Sequence, residues 1–79
     1  MINVRYFAAA AEAAGTKTEQ LDATTLGAAL DQLKQSHDEQ FAKVLTRCAL
    51  LLDGARVDDP STSLTDATNL DVLPPFAGG

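Results

Sequence analysis

The chain opens on an alternation in which Ile2, Val4 and Tyr6 are apolar and Asn3 and Arg5 polar, with Phe7 closing the run. A period of two marks a strand with one buried face. Ala8 to Ala14 favours helix but has room for only one or two turns, and Gly15 stands where a left-handed C-cap would end it. Lys17 to Asp22, polar apart from Leu21, reads as a second strand antiparallel to the first. Then Leu26, Ala29, Leu30 and Leu33 recur at three- and four-residue spacing, with Thr24 or Thr25 as N-cap and Asp31, Gln32, Lys34 and Gln35 on the other side. This is the principal, amphipathic helix, and Gly27 is an unfavourable residue inside it. A shorter helical segment follows, capped by Asp38, with Phe41, Val44 and Leu45 on one side.

Cys48 to Leu52 is a continuous apolar run that predicts a third, central strand. Asp53-Gly54 favours a type I′ turn into a short fourth strand over Ala55-Arg56-Val57. Asp58 to Asn69, rich in Asp, Ser, Thr and Pro, is a loop anchored by Leu64, and Leu70-Asp71-Val72-Leu73 is the last strand. One principal helix over a small mixed sheet is an α+β arrangement of the ubiquitin-like β-grasp kind, with the first and last strands parallel at the centre. The expected core is Leu26, Leu30, Leu33, Leu50 and Leu52, with Val4 and Val72 beneath them.

At 79 residues, 46% of them apolar, the chain is one globular domain near the lower size limit for an unstapled core. Residues 1–73 form that domain and residues 74–79 a flexible tail. Eleven acidic residues against six basic ones give a net charge of −5, and the cations Arg5, Lys17, Lys34, Lys43, Arg47 and Arg56 are scattered, which argues against nucleic-acid binding. The single cysteine, Cys48, excludes an internal disulfide and fits a reducing compartment. No apolar run is long enough to span a membrane and no signal-peptide pattern opens the chain, so a cytoplasmic location is expected.

The body offers little chemistry. His37, the one histidine, lies in a polar stretch between two helical segments and reads as a solvated linker residue. Cys48 opens a buried run, where a thiol acts as a small hydrophobe with a raised pKa. Asp58 and Asp59, before Pro60, suit a turn or cap, since nothing supplies further metal ligands, and no Gly-rich phosphate loop is present. Attention passes to Pro74-Pro75-Phe76-Ala77-Gly78-Gly79. The two prolines lack N–H groups and end the last strand near Leu73 as a stiff stalk. Gly78 and Gly79 carry no Cβ and suit a narrow channel, with a free carboxylate as the reactive group.

Val4-Arg5-Tyr6-Phe7-Ala8, the helix start at Thr25-Leu26, the turn Asp53-Gly54 and above all Leu73-Pro74-Pro75-Phe76-Ala77-Gly78-Gly79 resemble the small, sulfur-carrying subunit of molybdopterin synthase, the MoaD family of ubiquitin-like sulfur carriers. The resemblance covers essentially the whole chain. It implies that Gly79 is adenylated by an activating enzyme that uses ATP, becomes a thiocarboxylate and donates sulfur to a pterin precursor held by the large subunit, in a heterotetramer. The catalytic groups would then lie mainly on that large subunit, and this chain would bind no cofactor or metal of its own. Gly78, Ala77, Phe76, Pro75, Pro74, Leu73 and Phe7 are the tail and partner-binding residues it implies. Relatives often have Asn-Gly where Asp53-Gly54 stands, a Gly-Asp pair where Ala67-Thr68 stands, and an arginine where Ala11 stands. A sulfur carrier for thiamine or cysteine synthesis would share the Gly-Gly end, and so would a ubiquitin-like modifier joined to lysines of other proteins.

Overall fold

The computed structural model describes residues 1–75. Its strands are β1 (Ile2–Tyr6), β2 (Thr18–Leu21), β3 (Ala49–Leu52), β4 (Ala55–Arg56) and β5 (Asn69–Leu73), and its helices α1 (Ala9–Ala14), α2 (Leu26–Ser36) and α3 (Glu39–Arg47). The sheet runs β2-β1-β5-β3-β4. β5 lies parallel to β1 and antiparallel to β3, so the first and last strands are neighbours at the middle, the β-grasp arrangement that the element order predicts. The expected central place of β3 passes to β5, because β3 lies between β5 and the two-residue β4 next to the sheet's edge.

Register decides which side chains meet the helices. Val4 pairs with Leu70, and Tyr6 and Leu50 both pair with Val72, so these residues share one face. Ala10 of α1, Leu26, Ala29 and Leu33 of α2, and Phe41 and Leu45 of α3 are buried in one cluster with them. Burial of that kind gives roughly 1.5–3 kcal/mol for each large apolar side chain. Two expected core residues sit further out. Leu30 and Leu52 are only half-buried, whereas Phe41 and Leu70 are fully buried. The reason is α3: nearly as long as α2, it brings Phe41 to the centre, and Leu30 is left beside Leu45 and Val57 in a cleft of about 180 Å³.

Local chemistry sets the helix ends. The Thr25 hydroxyl accepts the Ala28 N–H at 3.2 Å, and the Asp38 carboxylate accepts the Phe41 N–H at 2.9 Å. Each satisfies a donor that the first turn leaves free. Gly15, at φ 75°, closes α1 in the left-handed conformation. Gly27 owes its place to Pro60: its N–H donates to the Pro60 carbonyl at 2.9 Å, and a Cβ there would lie 3.2 Å from both that oxygen and the Pro60 Cβ. The apparently unfavourable glycine therefore lets the long loop dock on the start of α2, where Leu26 N–H also donates to the Thr62 carbonyl and Leu64 is buried.

His37 is not a solvated linker residue. Its N–H donates to the Leu33 carbonyl at the end of α2, and its side chain, 15% exposed, places Nε2 2.8 Å from a Glu19 carboxylate oxygen. The ring stacks at 4.4 Å on Phe41 and meets Tyr6 edge-on at 6.3 Å. The histidine thus ties the α2–α3 junction to β2, and the polar sequence around it conceals the aromatic surface that α3 and β1 fold against it.

Candidate functional site

The root of the tail is set by the middle strand of the sheet. β5 is hydrogen-bonded on both sides, and Val72 is fully buried. The Phe7 N–H donates to the Val72 carbonyl at 3.1 Å, which carries the β1 pairing one residue past the end of that strand. Leu73 pairs with Ala49, and the ladder stops there, as the two prolines require. Pro74 is half-buried and Pro75 exposed. Leu73, Pro74, Pro75 and Phe7 are brought together at this end of the sheet; Phe76, Ala77, Gly78 and Gly79 lie outside the described residues.

Two surfaces flank the root. On one side Phe7, 42% exposed, borders a shallow depression of about 420 Å³ shared with Arg5, Ala8, Ala11 and Lys17. On the other side, Ala9 of α1 and Gln40, Lys43, Val44 and Arg47 of α3 form a groove of about 330 Å³ with Pro74 and Pro75. That groove was not read from the sequence. Its signal was available in the i, i+3, i+4, i+7 stripe over 40, 43, 44 and 47, which lies beside the buried stripe of Phe41 and Leu45.

A polar seam runs through the sheet face opposite the helices. Arg5 donates to both carboxylate oxygens of Asp71, at 2.6 and 2.8 Å, and Asn3 donates to Asn69 at 3.1 Å two pairing steps away. Both bridges cross from β1 to β5, so they fix the strand that leads into the tail. Asp53 supports the other end of β5. With Asp53 at φ 48° and Gly54 at φ 88°, the turn has the two positive φ values of type I′. The Asp53 carboxylate accepts the N–H groups of Thr68 and Asn69, the latter at 2.8 Å. An acceptor-only carboxylate can take both donors, which gives the Asp53 side chain a structural role.

The remaining candidates are structural. The Cys48 thiol, half-buried, donates to the Val44 carbonyl at 3.1 Å, and burial pushes its pKa up, away from the reactive thiolate. The Asp59 carboxylate accepts the N–H and hydroxyl of Ser61, a turn interaction that holds it below the usual carboxylate range. Among the described residues no group of three His, Cys, Asp or Glu side chains could hold a metal ion, and no helix is long and apolar enough to cross a membrane.

A β-grasp body whose central strand runs directly into a Pro-Pro-x-x-Gly-Gly sequence defines the class: a ubiquitin-like carrier or modifier. The sequence profile of the ThiS family matches residues 4–79, and the chain belongs to that family. Among solved structures it is similar to SAMP1 from Haloferax volcanii, at 26% identity and a TM-score of 0.82 over 99% of this chain and 98% of that one. A second structure of the H. volcanii small archaeal modifier protein 1 has 25% identity and a TM-score of 0.75 over 95% and 97%. A chain in the complex of subunits 1 and 2 of the molybdopterin-converting factor from Helicobacter pylori has 27% identity and a TM-score of 0.72 over 99% and 97%. None of the curated proteins matches.

Proposed function

We propose that this chain is the sulfur carrier of molybdenum cofactor biosynthesis, working in the cytoplasm as the small subunit of molybdopterin synthase. The observation that carries the reading is the course of β5: the middle strand of the sheet, paired on both sides, ends at Leu73 and continues in sequence as Pro74-Pro75-Phe76-Ala77-Gly78-Gly79. A rigid body and a slim glycine end are what an acyl carrier needs to present one carbon to an enclosed active site. The similarity to a chain of the H. pylori molybdopterin-converting factor complex supports a large-subunit partner, with Phe7, Leu73 and Phe76 on the contact surface.

The chemistry follows from the carboxylate. A Gly79 carboxylate oxygen attacks the α-phosphorus of ATP on the activating enzyme, and pyrophosphate leaves. A sulfur nucleophile then attacks the acyl carbon of the mixed anhydride, and AMP departs with that oxygen. When that nucleophile is hydrosulfide the product is the thiocarboxylate itself; when it is a persulfide the product is an acyl disulfide, which a thiol reduces, releasing the thiocarboxylate as the thiol and the donor sulfur form a disulfide. Its sulfur attacks an electrophilic carbon of the pterin precursor on the large subunit, an oxygen substituent of that carbon leaves with the bonding pair and is protonated, and hydrolysis of the resulting thioester returns the carboxylate. Oxyanion donors and general acids come from the partners.

The similarity to the H. volcanii small archaeal modifier protein favours one other reading, in which Gly79 is joined to lysines of target proteins. Intact-mass analysis of the protein from its host separates the two. A carrier shows Gly79 as the final residue with one oxygen exchanged for sulfur, and it co-purifies with a synthase large subunit. Branched conjugates on other proteins, without that exchange, would reject the carrier reading. Sulfur exchange with a thiamine- or cysteine-synthesis enzyme as the co-purifying partner would move the carrier to a different pathway.

A further inference from the structure

Pro74 and Pro75 do more than end β5. They line the groove with Ala9 of α1 and with Lys43, Val44 and Arg47 of α3, so the last described residue, Pro75, already stands in it. In a protein of net charge −5, no acidic residue among the described residues lines this groove. Lys43 and Arg47, one helical turn apart, form no salt bridge among the described residues. Arg47, in the last turn of α3, also meets the negative end of the helix, but Lys43 has no such local role. Val44 and Pro74, both half-buried, supply apolar surface beside these charges.

The sequence that follows Pro75 has the complementary chemistry. Phe76 carries an aromatic ring, Ala77, Gly78 and Gly79 are small, and in the sulfur-carrier reading Gly79 ends in a free carboxylate. Four extended residues reach up to ~14 Å, whereas the α3 stripe from Gln40 to Arg47 is roughly 10 Å long, so either cation lies within reach of the carboxylate. We propose that the groove is the docking site of the chain's own tail in the free protein, with the Phe76 ring against Val44 and the Gly79 carboxylate on Lys43 and Arg47. The inference rests on the sulfur-carrier reading, which leaves that carboxylate free. An enzyme that takes the tail must first lift it from the groove, and its apparent affinity is reduced by the fraction of the chain in which the tail is undocked.

The test is an NMR relaxation measurement on the isolated full-length chain, shown by intact mass to end at Gly79. Wild type is compared with the double variant Lys43→Gln, Arg47→Gln, with Phe76→Ser, and with Lys34→Gln, a control in the separate cleft beside Leu30. Lys34, Lys43 and Arg47 are all exposed, and the thermal midpoint checks that each variant folds. At low salt the amide order parameters of Ala77 and Gly78 in wild type and in Lys34→Gln lie above the ~0.6 that marks a flexible backbone, and in the double variant and Phe76→Ser they fall below it. High salt lowers the wild-type values as the charges are screened. Wild-type values below ~0.6 at low salt would overturn the proposal, as would values that the double variant leaves unchanged or that Lys34→Gln lowers equally. The two readings fail separately. A docked tail on a protein that shows no exchange of oxygen for sulfur in its host strikes the carrier reading alone, and sulfur exchange on a chain whose tail stays below ~0.6 strikes the docking alone.

Discussion

Arg5 and Asp71, separated by 66 residues in sequence, form a two-pronged ion pair across the parallel β1–β5 ladder, with Arg5 Nε 2.6 Å and the terminal nitrogen 2.8 Å from the two carboxylate oxygens. The Asp71 side chain is only 11% exposed although it lies on the face away from the helices, because Leu51 of β3 flanks it on the other side. The pair sits one residue before Val72, where the tail root begins. Removing the arginine alone leaves a nearly buried carboxylate without its partner, which costs more than removing both groups. Arg5→Ala therefore lowers the thermal midpoint, and adding Asp71→Ala recovers part of the loss. A cycle of thermal melts in which the two changes simply add would show the pair to be uncoupled.

The Tyr6 hydroxyl is buried with no hydrogen-bond partner. Burial, and then the charge of Glu19, push its pKa well above the ordinary value. The folded state thus keeps this proton to higher pH than the unfolded chain, so stability is whole below about pH 10 and falls as the unfolded tyrosine ionises above it. Tyr6→Phe removes both the unsatisfied group and the titration. The variant should gain about 1 kcal/mol at neutral pH and lose less than wild type between about pH 9 and 11. The Cys48 thiol, also pushed up by burial, contributes a decline in the same direction to both proteins. Parallel alkaline declines in urea melts of the two would refute the assignment to Tyr6.

Leu33 is completely buried, whereas Leu30, three residues earlier on the same helix, faces the cleft beside Val57. Leu33→Ala opens an enclosed cavity and should cost about 2–5 kcal/mol. Leu30→Ala, beside space that solvent already reaches, should cost about half as much or less. Chemical denaturation reads the ranking directly, and a reversed order would mean that α2 is rotated from the register described.

Tail variants separate function from fold. The core is closed by residues between Ile2 and Val72, so Gly78→Val and deletion of Gly79 should leave stability within about ±0.5 kcal/mol. Each should nevertheless reduce adenylation at least ~10²-fold, since an added Cβ or a carboxylate drawn back by up to ~3.6 Å misplaces the reacting carbon. Pyrophosphate exchange with the activating enzyme measures this, and normal rates from the deleted chain would exclude Gly79 as the acceptor of the adenylate.

The sequence by itself determined every feature whose cause lies within a turn or a strand of the residue concerned. Period two in Ile2, Val4 and Tyr6 gave β1; the threonine pair Thr24-Thr25, of which Thr25 is the cap, and Asp38 started the helices; Gly15 and Asp53-Gly54 placed the turns; and the two prolines ended β5 at Leu73. These are satisfied locally, so the pattern of neighbours is sufficient to read them. Tertiary structure decided what depends on elements meeting across long separations. It withdrew Leu30 from the core in favour of Phe41, turned His37 from a polar linker into a packed partner of Glu19, and set Gly27 against Pro60. It also placed the Lys43 and Arg47 stripe beside Pro74 and paired Arg5 with Asp71. In each case the side chain's own neighbourhood in sequence is uninformative, because its energy is set by a surface contributed by a strand, helix or loop from elsewhere in the chain.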